Sequence, residues 1–159
     1  MKRRSATPPS VRAATAGAIG IDRLFRNVRH GRFEKAMSGL TAAGALVTGV
    51  EIWLEHDRAS FANRMMWLPV AVTPAMVVGG VAGVFSRRAA KTFLPLVSTV
   101  VVANSLQGQY LHLRGIAQRP GGWELARYNA EMGPPTFAPL LFALVGGMGL
   151  LAAVLRRED

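Results

Sequence analysis

The chain has 159 residues, half of them hydrophobic, with a formal charge of +10 and no cysteine. That length allows one domain, and the lack of cysteine excludes disulfides, thiolate zinc sites, iron–sulfur clusters and c-type haem attachment. A large apolar fraction and strong self-repulsion seldom coexist in a soluble globule; they coexist when the apolar part lies in lipid and the charge outside it.

The charge is unevenly placed. Lys2, Arg3, Arg4, Arg12, Arg23, Arg26, Arg29, Arg32 and Lys35 all come before or at the start of the first apolar run. No nucleic-acid-binding module accompanies them, so the expected partner is the lipid bilayer and no nucleic acid. Residues 1–35 read as a basic cytoplasmic arm. Pro8 and Pro9 interrupt it, no compact apolar core follows, and Asp22 and Arg23 come next, unlike a secretory signal peptide. Within it, "GIDRLFRNVRH" has a helical period: Ile21, Leu24, Phe25 and Val28 share a face opposite Arg23, Arg26, Asn27 and His30. This predicts a short amphipathic helix on an anionic membrane surface, with Arg23, Arg26, Arg29 and Arg32 as the surface cations. A solvated arm that only enforces topology is the alternative.

Residues 36–159 hold four windows of the length and apolarity that a spanning helix needs, ~20 residues. They are Ala36 to Glu55, Trp67 to Phe85, Phe93 to Leu113 and Phe137 to Leu155. The second and fourth have almost no polar face, whereas a soluble bundle requires a polar stripe on every helix. The expected fold is therefore all-α: an integral membrane four-helix bundle with four transmembrane helices. Lys and Arg favour the arm, the Arg87–Arg88–Lys91 connection and the Arg156–Arg157 tail. The positive-inside rule then puts both termini in the cytoplasm of an inner-membrane, multi-pass protein. Trp53, Trp67, Tyr110, Trp123 and Tyr128 fall at the opposite, outer interface, where amphipathic rings settle.

Gly79, Gly80 and Gly83 in the second span, and Gly146, Gly147 and Gly149 in the fourth, suggest close internal packing. Pro69, Pro95 and Pro139 sit near span starts, where a missing N–H costs little, and Pro74 is placed to kink span two. The outer loop, residues 114–136, has rigid turns at "RPGGW" and "MGPPTF" with helix formers between them. It is the surface expected to meet a membrane-protein partner, or simply a connection.

The first span ends unusually, in "VTGVEIWLEHDRASF". Thr41, Gly44, Thr48, Glu51 and Glu55 fall three and four apart and share one face. A carboxylate in the bilayer costs about 2.5 kcal/mol or more, so Glu51 needs a partner, a proton or water. Span three runs in the same direction and offers Asn104, Gly108 and His112, with Ser105 and Gln109 on an adjoining stripe and Arg114 at the boundary. Glu51, Glu55, His56, Gln109, His112 and Arg114 are thus expected to form a polar cluster at the outer end of the bundle.

That cluster admits four readings. It can hydrogen-bond helices together where lipid supplies no hydrophobic drive. It can hold a cofactor, with His56 and His112 as axial ligands of a b-type haem, or both with Glu51 and Glu55 around a metal. It can relay protons, although the cytoplasmic halves of the predicted spans lack ionisable residues. It can dock a partner. No phosphate loop, metalloprotease helix or nucleophile–base arrangement appears, so no catalytic residue is assigned and the expected role is a non-enzymatic accessory or scaffold subunit. The runner-up is a haem b- or metal-binding subunit of a membrane redox system, with His56, His112 and Glu51 as candidate ligands.

Through "EHDRASFANRMMWLP", "YLHLRGIAQRPGGW" and "YNAEMGPPTFAPLLF" the chain resembles small multi-spanning bacterial membrane proteins known only as hypothetical proteins. The resemblance covers the central part of the chain and implies membrane residence without an activity.

Overall fold

The computed structural model describes residues 32–156. The amphipathic helix expected over residues 20–30, with Arg23, Arg26 and Arg29, lies outside them. The described chain forms helices α1 (Arg32–Arg58), α2 (Trp67–Phe85), α3 (Arg87–Lys91), α4 (Phe93–Ala117), α5 (Ala126–Glu131) and α6 (Ala138–Leu155), with a 3-10 turn at Arg64–Met66 and no strand among the described residues. The fold is the all-α four-helix bundle that the hydropathy pattern requires. Its four long elements are apolar enough to cross a membrane. Leu40, Val47, Leu96, Leu141 and Val154 point outward from them, as expected for helices that meet lipid rather than water.

The four long helices form a ring. α1 packs against α2 and α6, α4 packs against the same two, and α1 and α4 face each other across the diagonal. Small residues set the close contacts. A Cβ on Gly80 would lie 2.7 Å from the Ala42 nitrogen and 2.8 Å from the Ser38 carbonyl oxygen, and one on Gly146 would lie 3.0 Å from the Ser98 carbonyl oxygen. The glycines of both runs therefore serve packing inside the bundle, with one exception: Gly147 has nothing within 4 Å of its would-be Cβ. Ala45, Met76, Leu94, Val101 and Phe142 fill the interior.

One end of the bundle is basic, and its cations close helix termini. Arg156, after α6, donates through Nη1 to the Gly83 carbonyl oxygen near the end of α2 (3.1 Å). Lys91, ending α3, donates through Nζ to the Ala153 carbonyl oxygen near the end of α6 (2.7 Å). Carbonyls in the last helical turn lack intrahelical donors and carry the negative end of the dipole, so a cation stabilises them doubly. α1 begins earlier than the first apolar window, which brings Glu34 into the helix. Its side chain is fully buried, and neither carboxylate oxygen has a hydrogen-bond partner.

The helices differ in length, and this shapes the far end. Near the basic end Ser38, Gly83 and Leu94 meet at one level. From there α1 runs to Arg58 and α4 to Ala117, while α2 reaches only Trp67 and α6 only Ala138. At 1.5 Å per residue the short pair stops roughly 6–15 Å below the long pair. The gap on the α2 side is edged by the turn after α1, where Ser60 (φ 55°) and Phe61 (φ 45°) are left-handed. Phe61 stacks on Trp67 with ring centroids 3.9 Å apart, and Asn63 Oδ1 accepts from the Met65 N–H at 2.9 Å. These contacts offset the strain of two non-glycine residues in that region.

Gly80→Ala is expected to push α1 from α2 and lower stability by about 1–3 kcal/mol, read as a fall in unfolding temperature in mild detergent. Gly147→Ala should leave it unchanged, and equal effects would refute the packing assignment.

Candidate functional site

Between the overhanging ends of α1 and α4 lies a chamber of about 990 Å³. Glu51, Glu55 and His56 line it from α1, and His112 and Arg114 from α4. Five of the six residues expected in the polar cluster therefore face one space. Gln109 does not line it: its Nε2 donates to the Thr136 carbonyl oxygen at 2.9 Å, on the segment leading into α6. Arg32, expected at the membrane surface, is exposed as the first residue of α1, at the basic end.

The six residues do not bond to one another across the chamber. Glu55 pairs with Arg58 on its own helix, and such an exposed pair contributes little. Glu51 and Arg114 are exposed, and among the described residues neither forms an ion pair. His56 is half-buried with its Nδ1 lacking a hydrogen-bond partner. Its ring is held by the Met66 backbone, meets Phe61 edge-on at 6.2 Å and lies within electrostatic reach of His112 and Glu55. The cluster thus faces open space rather than stitching α1 to α4.

What α4 does stitch is the loop. His112 Nδ1 lies 2.7 Å from the Pro135 carbonyl oxygen. A carbonyl only accepts, so Nδ1 donates, and in the neutral ring the lone pair is on Nε2. His112 and Gln109 together hold the Pro134–Pro135–Thr136 segment across the gap left by the short α6. Gly108 and Gly115 keep this face of α4 low: a Cβ on Gly115 would lie 3.3 Å from Pro134 Cγ, and one on Gly108 3.5 Å from Pro139 Cβ.

Asn129 organises the rest of the loop. It is 2% exposed and donates through Nδ2 to the carbonyl oxygens of Pro120 (3.1 Å) and Gly122 (2.8 Å). This ties α5 to the turn in which Gly121 (φ 77°) and Gly122 (φ 46°) supply the left-handed backbone. The sequence offered only a helix-forming run here, and nothing marked one Asn as the staple. The side walls of the chamber also include Met65 and Met66, with Ser105 and Phe142 deeper in. A second, shallower depression of about 510 Å³ is lined by residues 124–128 and Glu131 alone, and one short segment cannot enclose a guest.

Among the described residues no group of three or more His, Asp or Glu is placed to hold a metal ion. The two imidazoles are the remaining ligand pair. Ala45, Met76, Val101 and Phe142 belong to the apolar core of the bundle.

Asn129→Ala removes both bonds to the turn. We expect faster amide exchange and proteolysis over residues 118–136 by a factor corresponding to about 1–3 kcal/mol, with protection of α2 unchanged; uniform loss along the chain would contradict a local staple.

No known protein family, no curated protein and no solved structure matches this chain.

Proposed function

We propose that this is a non-catalytic accessory protein of the inner membrane, with both termini cytoplasmic, and that its working part is a guest-binding chamber at the outer end. The observation that carries this reading is the chamber itself: about 990 Å³ lined by Glu51, Glu55, His56, His112 and Arg114, none of which is spent on another. Ligand pockets typically run to about 300–1,000 Å³, with a few polar groups on apolar walls. Two walls come from regular helices, and the loop segment beside them is tied down by His112 and Gln109. Preorganisation of this kind reduces the ordering cost of binding.

Orientation rests on the Lys and Arg distribution. Reporter fusions after Arg88 should signal cytoplasm and fusions after Gly122 the outer side; the reverse pattern would overturn the orientation. For the chamber, native mass spectrometry of the gently solubilised protein should show a small molecule retained by the wild type and lost from Ser105→Trp, which puts an indole in place of a hydroxymethyl group in the chamber lining. A bare chain in both would refute guest binding.

A second reading keeps a specific observation behind it. His112 donates from Nδ1 to a backbone carbonyl, the arrangement that commonly orients a ligating imidazole, and His56 lines the same chamber. Under this reading the two imidazoles are axial ligands of a b-type haem. Protein expressed with haem available should then show a Soret band that His112→Ala and His56→Ala each abolish. A clear spectrum would leave the accessory reading standing alone.

A further inference from the structure

Both imidazoles of the chamber are held by one ring nitrogen and idle at the other. The His56 ring bonds the Met66 backbone, and its Nδ1 is buried without a hydrogen-bond partner. The bonding nitrogen is therefore Nε2, and Nδ1 keeps a lone pair that can only accept. His112 has the opposite tautomer: Nδ1 donates to the Pro135 carbonyl oxygen, which leaves the lone pair on Nε2. A backbone group behind an imidazole fixes the ring and strengthens its other nitrogen as a ligand, as it does behind metal-bound histidines.

The two rings also stand at the same height. Ser38 on α1 and Leu94 on α4 both lie against Gly83, each 3.1 Å from its would-be Cβ. Both helices run from that level toward the outer end, and His56 and His112 each come eighteen residues later. At 1.5 Å per residue that is roughly 27 Å for either ring. Both line the chamber, and each is within electrostatic reach of the other.

Their surroundings select the ion. Met65, Met66 and Met132 line the same chamber. Met66 supplies the backbone that holds His56, and Met132 immediately precedes the Gly133–Pro134–Pro135 stretch that His112 holds. Thioether sulfur is a soft, neutral ligand that favours Cu(I). Among the described residues no third His, Asp or Glu joins the imidazoles, so Zn(II) and the harder dications lack the ligands they take. The formal charges of the lining balance, Glu51 and Glu55 against Arg58 and Arg114, which suits a monovalent ion better than a divalent one.

We propose that the chamber binds one Cu(I) ion between its two long walls. His56 Nδ1 and His112 Nε2 are the nitrogen ligands, and a thioether of Met65, Met66 or Met132 is the sulfur ligand. The ion occupies the level of the two rings, and the rest of the space is its approach. The inference concerns binding alone, without electron transfer, and it rests on the chamber being a guest site as proposed above.

The test is a titration of the full chain in mild detergent, without oxygen, with Cu(I) supplied as its complex with a chromophoric chelator. The loss of colour measures copper taken by the protein, and we expect one copper per chain. His56→Gln and His112→Gln should each weaken uptake by at least about tenfold, since losing only the hydrogen bond behind a ligand already costs that much. The amide keeps an N–H for the Met66 or Pro135 backbone, and melting temperatures check that both variants fold. Met65→Leu, Met66→Leu and Met132→Leu combined should weaken uptake as well, and X-ray absorption at the copper edge should show sulfur beside nitrogen. Uptake untouched by either histidine substitution or by the triple one, or copper surrounded by nitrogen and oxygen alone, would overturn the proposal. Zn(II) bound in preference to Cu(I), or haem bound by the same two rings, would overturn it too. Native mass spectrometry separates the two levels of failure. A different small molecule, retained by the wild type and lost from Ser105→Trp, with no copper taken up, would overturn Cu(I) and keep the chamber. A bare chain that takes up no copper would overturn both.

Discussion

The chamber exists because helices on one diagonal are longer than helices on the other. α1 and α4 have 27 and 25 residues, α2 and α6 have 19 and 18. Counted from the level where Ser38, Gly83 and Leu94 meet, α1 and α4 continue farther toward the opposite end than α2 does. A ring of four helices closes its core only where all four are present. Beyond that level two facing walls stand alone, and the space between them is bounded by whatever the connecting segments supply. The 3-10 turn with Met65 and Met66 lies on one side, and the Pro134–Pro135–Thr136 segment on the other.

The basic end is level because it is tied. Arg156 and Lys91 donate into the last turns of α2 and α6, and glycines let α1 and α2, and α4 and α6, approach to backbone contact. In lipid such contacts replace the hydrophobic drive that a soluble core relies on. The same cations that carry the positive-inside signal therefore also hold the register of the bundle. Glu34 and the hydroxyls of Ser38 and Thr41 continue the inward seam of α1 there. The chain thus has a dense half and a hollow half.

Much of the cluster was legible as a pattern. Glu51, Glu55 and His56 stand out because carboxylates are costly near lipid, and the helical period places them with Thr48 on one face. Parallel running of spans one and three was enough to bring His112 and Arg114 to the same end. Gln109 shows the limit of that logic. It adjoins His112 on the same helix, yet a small rotation around α4 turns it toward Thr136 instead. Ser105 and Asn129 show another limit. A serine in a span and an asparagine in a loop are ordinary, and their significance lies in bonds that Ser105 lacks and Asn129 makes with residues seven and nine positions away.

By itself, the sequence determined that four apolar helices form and where charge concentrates, since these depend on local composition and on the cost of placing backbone and charge in lipid; that the first and third helices run well past their apolar windows was decided by the structure. It also determined that α1 and α4 end on the same side, because spans alternate in direction. Only the tertiary structure decided that these two face each other across a diagonal instead of packing together. That arrangement follows from which small residues meet: Gly80 against Ser38 and Ala42, and Gly146 against Ser98 and Val102. Neighbouring placement would have let Glu51 and His112 bond helix to helix. Diagonal placement leaves a space between them, because beyond the ends of α2 and α6 no helix fills the interval between the two long ones.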